Sequence, residues 1–455
     1  MTDKLQDAWL CTVCGYLHYG PEPPHECPQC DAGRGQFKPT TTPSPASADV
    51  AAETAVHRYV IVGAGIAGVS AAEAIRKSDP DATIILLSSE SELPYFRMNL
   101  TRYLAGELDS SKLSLHPMVW YGENRINLQL NTTVTDLLPD EKILILSDER
   151  KIPYDTSILA TGASPFVPPF PGTNLEGVQT LRTLHDANAI LAVCSNPIRV
   201  VCIGGGLLGL EVASAIARRG ATVTVVESLA WLLPRQLDQP ASWILQKKIE
   251  AMGFSVFIGA RTQALVGETH VRGVQFEDGR LLPADLVVIS AGVSANLELA
   301  RKAGLLVNKG ILVDEHMRTS HTDIFAAGDD TEHHGRLYGL WVPAKSQGTI
   351  AGLSAAGKDA TFPADPPSAR LKVLGIDLFS IGQLTPQDET DVVLSEAQGG
   401  NYASFVFHHG VMVGSILLGD AHLASAVKTV VEAQTDFSTQ LADGLSVTAL
   451  KQLLK

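Results

Sequence analysis

Two stretches of this chain repeat one pattern: Val62-Gly63-Ala64-Gly65-Ile66-Ala67-Gly68 and Ile203-Gly204-Gly205-Gly206-Leu207-Leu208-Gly209. Each follows a β-rich run and opens a helix-like run. Each is trailed about 20 residues on by a second β-rich run that leads to an acid, Glu90 in the first case and Glu227 in the second. The physical demands are the same in both. Gly63 and Gly204 permit a tight turn, Gly65 and Gly206 let a pyrophosphate approach the backbone, and Gly68 and Gly209 let the helix pack on the strand. The helix N-terminus then points its positive end at the phosphates. One such motif is a weak signal. Two, each with its acid, predict two bound dinucleotides and a chain that moves electrons between them. After Glu227 come Ser228, Leu229 and Ala230, with no cation to receive a 2′-phosphate. An acid there repels a 2′-phosphate and pairs with a free 2′-OH, so the second site is expected to prefer NADH over NADPH.

The chain has 455 residues, room for roughly three domains. Its net charge of −14 argues against nucleic acid or an anionic membrane as partner. No apolar run approaches the ~18 residues of a spanning helix. The first residues lack the apolar core of a signal peptide, which points to the cytoplasm. Four of the six cysteines cluster near the start. Cys11 and Cys14 form one C-x-x-C pair and Cys27 and Cys30 another, with twelve residues between them. Two such knuckles make a tetrahedral four-sulfur metal site. A segment this small needs the metal to fold. Spacing alone leaves a structural zinc ribbon and an iron centre both open. Residues 39–56, rich in Pro, Thr, Ser and Ala, read as a semi-extended linker.

The run Trp9-Leu10-Cys11-Thr12-Val13-Cys14-Gly15-Tyr16, with Gly20, Pro24, Cys27-Pro28-Gln29-Cys30 and Phe37, resembles the short rubredoxin domain of rubrerythrins. The resemblance implies one iron held by the four cysteines, with Trp9, Tyr16 and Phe37 as its apolar shell. Asp31 departs from the glycine that many rubredoxins carry there, which bears on contacts that tune potential.

Three further segments resemble the two-dinucleotide flavoprotein reductases: Ile158-Leu159-Ala160-Thr161-Gly162-Ala163-Ser164-Pro165, Thr319 to Asp329, and Trp341 to Gly348. The resemblance implies FAD at the first cradle. It also implies that Ala160, Thr161 and Gly162 contact the flavin nucleotide and that Asp329 binds its ribityl chain or pyrophosphate. Gly292, where the chain returns to the first domain, and Trp341, which opens a helix, join the cofactor set. Leu93 to Gly106 is similar to a stretch of ferredoxin, rubredoxin and nitrite-reductase-type reductases whose arginine and lysine lie near the isoalloxazine. That places Arg97 and Arg102 there, with Arg102 standing for the lysine and Met98 for a proline. The lysine's partner in the family corresponds to Glu211. An Arg102–Glu211 pair beside the flavin N5 is therefore expected to be the catalytic pair, although an arginine cannot pass on its proton as a lysine can. Residues 57–193 contain no cysteine, which excludes a thiol relay. Cys194 and Cys202 read as core thiols.

The expected fold class is α/β: two Rossmann-like dinucleotide-binding domains plus a C-terminal α+β interface domain, preceded by a small metal-stabilised rubredoxin-like domain. The boundaries read as 1–38 for the iron domain and 39–56 for the linker. Residues 57–195 with 286–365 bind FAD, 196–285 bind NADH, and 366–455 form the interface domain. Leu207 to Glu211 and Pro234 to Asp238 look most like the reductase part of assimilatory nitrite reductase large subunits. The resemblances imply an NADH:rubredoxin oxidoreductase with its rubredoxin fused on, feeding a downstream electron-acceptor protein. Two alternatives stay open: the electron-input part of nitrite reduction, and an NADH oxidase with a zinc-ribbon adaptor head. No cysteine follows Cys202, so this chain has no site for siroheme with an iron–sulfur cluster. The pairs His333–His334 and His408–His409 read as loop and turn residues.

Overall fold

A computed structural model describes residues 6–11, 17–19, 21–25, 33–42, 56–194, 198–363 and 368–455. Near the start, strands Gln6–Cys11, Leu17–Tyr19 and Phe37–Thr42 form an antiparallel sheet with Gln6–Cys11 at its centre. Phe37 is buried there. The third strand runs to Thr42, four residues into the stretch read as linker. Its Pro39 stands on an edge strand, where the missing N–H is tolerated. Cys14, Cys27 and Cys30 lie outside the described residues, so the expected metal site does too. Cys11 ends the first strand.

The chain divides into two compact units. One comprises Met1–Phe96, Ser114–Ala163 and Ala295–Phe362; the other comprises Arg97–Leu113, Ser164–Ser294 and Pro363–Lys455. In the first, a five-stranded parallel sheet runs in the order Ile324–Ala326, Thr156–Leu159, Arg58–Val62, Thr83–Leu87, Ile126–Gln129. Its strands Arg58–Val62 and Thr83–Leu87 are apolar after their first residue, apart from the Tyr59 hydroxyl, as parallel strands covered on both faces tend to be. Tyr59 and Ile61 pack on one face, Val60 and Val62 on the other. The helix Ile66–Ser78 lies against the helix Trp341–Ala355 with unusual closeness. A Cβ on Gly348 would stand 2.1 Å from the Ala67 carbonyl oxygen, and one on Gly352 would stand 2.4 Å from that of Ala71. Small residues let the two backbones touch.

Arg76, in the last turn of that first helix, is a hub. Its guanidinium donates to the carbonyls of Asn124, Asp79, Pro80, Ala82 and Arg125 at 2.7–3.2 Å. It ties the helix C-terminus, the turn that follows it and the entry to strand Ile126–Gln129 into one knot.

The second unit repeats this plan. Its parallel sheet runs Val178–Gln179, Leu286–Ile289, Arg199–Ile203, Thr222–Glu227, Ser255–Ile258. Each parallel sheet is accompanied by a three-stranded antiparallel meander: Val134–Leu138, Ile143–Leu146 and Lys151–Pro153 in the first unit, Thr262–Gly267, Val271–Phe276 and Leu281–Pro283 in the second. The chain ends in a five-stranded antiparallel sheet, in the order Ser368–Val373, Ile376–Gly382, Val411–Leu418, Asn401–His408, Asp391–Gln398. The helices Ala424–Glu432 and Val447–Leu453 contribute to its core.

The fold class is as expected: two parallel-sheet dinucleotide-type domains, and a C-terminal antiparallel sheet with helices. Cys194 and Cys202 are buried core thiols. His408 and His409 sit at a hairpin turn completed by Gly410. His333 departs from expectation. It ends the strand Thr331–His333, which pairs in parallel with Ile311–Val313, and is 1% exposed. No described helix is long and apolar enough to cross a membrane.

Candidate functional site

In the first cradle the three glycines divide the work unequally. Gly63 has φ +107°, and a Cβ there would lie 2.1 Å from the Ala160 carbonyl oxygen. A Cβ on Gly68 would lie 1.9 Å from the Gly63 carbonyl oxygen. These two are required by the protein's own packing. Gly65 has φ −70° and caps the helix, and a Cβ there would meet nothing within 4 Å. The open space lies at the helix N-terminus, where a pyrophosphate would be held. Glu90 lies three residues past the strand end Leu87 and accepts a 2.7 Å hydrogen bond from Tyr95 Oη.

The same unit brings three distant segments together around this cradle. Thr161, in the Ala160-Thr161-Gly162 turn, binds Asp330 through both its amide and its hydroxyl. Gln347, 1% exposed on the Trp341–Ala355 helix, accepts from the Gly328 amide and the Thr331 hydroxyl. Trp341 stacks on Phe96 with 5.9 Å between ring centroids. These segments carry three of the buried polar atoms that lack a partner among the described residues: Gln347 Nε2, Trp341 Nε1 and Asp330 Oδ1. Buried polar groups are ordinarily paired, so a buried donor or acceptor in such a place suits a polar ligand. Asp330, Gln347 and Asn296 were not singled out in the sequence. The doubled acid Asp329-Asp330 was the one visible signal.

The second cradle, in the other unit, has the same division. A Cβ on Gly204 would stand 2.3 Å from the Ser290 carbonyl oxygen, and one on Gly209 would stand 2.0 Å from that of Gly204. Gly206 faces open space. At Gly205, to which sequence reasoning gave no role, a Cβ would lie 2.4 Å from Leu232 Cδ2, a side-chain atom, so that leucine would have to shift. Gly292 has φ +112°. Glu227 ends its strand as expected and is 6% exposed. Its carboxylate turns inward, accepting from the Gly205 amide at 2.8 Å and the Leu229 amide at 2.7 Å. It fixes the glycine loop from beneath, with lone pairs left over for a hydroxyl.

The expected Arg102–Glu211 pair is not formed. Arg102 Nε lies 3.1 Å from Glu107, which also pairs with Arg218. Hydrogen bonding from Arg102 holds the Glu107 carboxyl below its usual range. Glu211 instead accepts from the Thr101 hydroxyl at 3.3 Å. The reason is helical geometry. On the short helix Leu100–Leu104, Thr101 faces inward at 9% exposure, and its neighbour Arg102 is turned about 100° away. Burial pushes the Glu211 carboxyl above its usual value, opposed by the Thr101 hydrogen bond. Arg97 donates to the Arg182 carbonyl. Arg97 and Arg102 belong to the second unit, whereas Gly63, Glu90, Thr161, Asp329 and Trp341 belong to the first.

Paired dinucleotide cradles, each with its middle glycine open, define the class as a two-nucleotide oxidoreductase. The chain belongs to the pyridine nucleotide-disulphide oxidoreductase family, whose model matches residues 57–348. Models of the rubredoxin NAD+ reductase C-terminal domain and of the rubrerythrin rubredoxin-like domain match residues 367–435 and 9–38. Nitrite reductase [NAD(P)H] of Bacillus subtilis is 34% identical over 84% of this chain and 48% of its own length. NADH-rubredoxin oxidoreductase of Clostridium acetobutylicum is 30% identical over 84% of this chain and 96% of its own. The chain thus spans about half of the nitrite reductase it matches and nearly all of the rubredoxin oxidoreductase. Among solved structures, the covalent putidaredoxin reductase–putidaredoxin complex superposes with a TM-score of 0.78 at 29% identity, covering 87% of this chain and 98% of that one.

Proposed function

We propose that this chain is an NADH-dependent flavoprotein reductase that passes electrons to a fused four-cysteine iron centre and from there to an acceptor protein. One observation carries the reading: two like cradles, each open at the middle glycine, on a chain that also bears a rubredoxin-like four-cysteine segment. FAD would be held at the Gly63–Gly68 turn and the Ala160–Gly162 turn, with Asp329, Gln347 and Trp341 beside it. When bound, it supplies the link between a two-electron donor and a one-electron acceptor. The family likeness keeps Arg97 in the flavin set. NADH would be held at the Gly204–Gly209 turn, with its ribose on Glu227; Gly292 stays in the cofactor set. Cys11, Cys14, Cys27 and Cys30 offer four thiolates, a donor set suited to iron and also to zinc.

The chain's own residues bind and orient; placement is their contribution. We assign the catalytic positions to Glu211 and Arg102, but as separate groups: Glu211 half-buried against Thr101, Arg102 held outward by Glu107. Replacing Glu211 by Gln removes a carboxyl that burial disfavours as an anion. The sign follows from its raised pKa. The unfolded chain ionises Glu211 at lower pH than the folded chain does, so stability falls as pH rises through that window. Glu211→Gln is therefore expected to melt higher than the parent at alkaline pH and nearly alike at acid pH. A catalytic role predicts, in addition, a fall of at least about tenfold in kcat with KM for NADH little changed. An unchanged kcat reduces Glu211 to a structural residue.

The direct test is an anaerobic NADH titration of the full-length, iron-loaded protein, followed in the visible spectrum. Bleaching of the flavin and then of the ferric–thiolate bands supports the reading. Flavin bleaching with the iron bands unmoved over many turnovers overturns it, as does a head isolated with zinc alone. A second reading, electron input to nitrite reduction, is favoured by the match to half of the Bacillus subtilis nitrite reductase. It predicts that an added siroheme reductase module, rather than a diiron protein, draws electrons from the reduced chain.

A further inference from the structure

Asp330 follows Asp329 and is fully buried. Its Oδ2 lies 2.7 Å from both the amide nitrogen and the hydroxyl oxygen of Thr161. The same hydroxyl lies 3.1 Å from the Asn296 carbonyl oxygen. A threonine hydroxyl has one proton and cannot donate to two acceptors. With Asp330 ionised, the hydroxyl serves only one of the two, and the other contact holds no proton, although Oδ2 keeps the Thr161 amide either way. With Asp330 protonated, the acid O–H donates to Thr161 Oγ1, and the hydroxyl donates onward to Asn296. Asn296 closes the arrangement, since its side-chain amide donates to the Thr161 carbonyl at 2.8 Å and its backbone amide to that of Gly162 at 2.9 Å. The Ala160–Gly162 turn, whose first carbonyl packs on Gly63, is thereby held from both sides. Asp330 Oδ1 is buried without a partner among the described residues, a costly place for a formal charge.

We propose that Asp330 is a proton-bearing positioning residue of the first cradle. As the neutral acid it completes a hydrogen-bond chain through Thr161 to Asn296 that fixes the turn under the dinucleotide, and its ionisation breaks that chain. Burial supports this, pushing its pKa up to about 7 against the opposing hydrogen bonds of Thr161 and Gly162. Burial is its largest cause, and the hydrogen bonds that oppose it come from neutral groups. Asp329 is its chain neighbour. The Glu332 carboxylate is turned onto Asn308, Lys309 and Gly310, and His333 lies beyond it against Phe362. Gln347, on the facing helix, is neutral. Between the ordinary aspartate value and about 7 the folded chain binds a proton that the unfolded chain has lost, so stability falls as pH rises and levels off above about 7.

The consequence for cofactor retention rests on the proposed FAD site. The test compares full-length parent, Asp330→Asn and Asp330→Val. Asparagine keeps the size and removes the titration: both Thr161 contacts fall on the one Oδ2 position, so either its carbonyl there serves the amide or its NH2 serves the hydroxyl, at every pH. FAD release, followed by fluorescence from about pH 5 to about pH 9, is expected to quicken at least about tenfold in the parent across pH 7. It should be flat with pH in Asp330→Asn, and fast throughout in Asp330→Val. An infrared difference spectrum, parent minus Asp330→Asn, should contain a protonated carboxyl band at pH 6 and lose it by pH 9. A carboxylate band at pH 6, or equal pH slopes in parent and Asp330→Asn, overturns the proposal. If the protein takes up no FAD, the FAD reading fails, and the infrared band alone decides Asp330. The Asn variant keeps the test decisive even if Asp330→Val does not fold.

Discussion

Gly65→Val is expected to fold like the parent and lose its flavin, whereas Gly68→Ala is expected to lose stability and flavin together. Both residues belong to one seven-residue turn, in which the motif assigns them unlike roles: approach of a pyrophosphate at Gly65 and helix–strand packing at Gly68. Their surroundings differ. At Gly65 the backbone is extended and an added side chain enters open space, so the cost to the fold is within about 1 kcal/mol. That space is where a pyrophosphate would approach. At Gly68 the smallest possible side chain meets the Gly63 carbonyl 1.9 Å away, a backbone atom that cannot swing aside. The helix must lift from the strand, at a cost of about 3 kcal/mol. Melting of flavin-stripped protein and the flavin absorbance retained per chain read the two effects separately. A Gly65→Val protein that keeps its flavin removes the pyrophosphate from this turn. A Gly68→Ala protein that melts like the parent means that the helix has room to move.

Arg76→Ala is expected to lower stability by about 3–5 kcal/mol while leaving both cradles chemically intact. Five carbonyls converge on one guanidinium, and charge-assisted hydrogen bonds contribute about 1.5–3 kcal/mol each when buried. Two of these are exposed and the other three only part-buried, so the sum is well below five full bonds. Lysine is a poor substitute. Its three donors radiate from one point and cannot span the fan of acceptors that a planar fork reaches. Arg76→Lys should recover less than half of the loss in chemical denaturation. A midpoint for Arg76→Ala equal to that of the parent shows that the cage carries no net stability.

Much of this was legible in the sequence because it is local. A glycine at the turn, a glycine at the helix–strand contact and an acid at the next strand end are set by spacings of a few residues. Both cradles follow from that spacing, and the unlike roles of Gly65 and Gly68 are variations within it. What failed depended on rotation or on distance. Arg102 and Thr101 are adjacent letters, yet a helix turns them about 100° apart, and the inward one meets Glu211. Glu227 was read as reaching outward to a ribose. Its carboxylate also reaches inward to hold Gly205 and Leu229. His333 looked like loop because nothing nearby in sequence announced the partner strand Ile311–Val313.

Residue type at short spacing was enough to establish two nucleotide cradles, a four-cysteine segment and no thiol relay in residues 57–193. Which polar groups share a buried site depended instead on the packed fold. Thr161, Asn296 and Asp330 are separated by 135 and 169 positions along the chain, measured from Thr161. They meet because the parallel sheet brings the end of strand Thr156–Leu159 beside the end of strand Ile324–Ala326. Burial at that junction, which no local pattern of residues encodes, sets the protonation of Asp330.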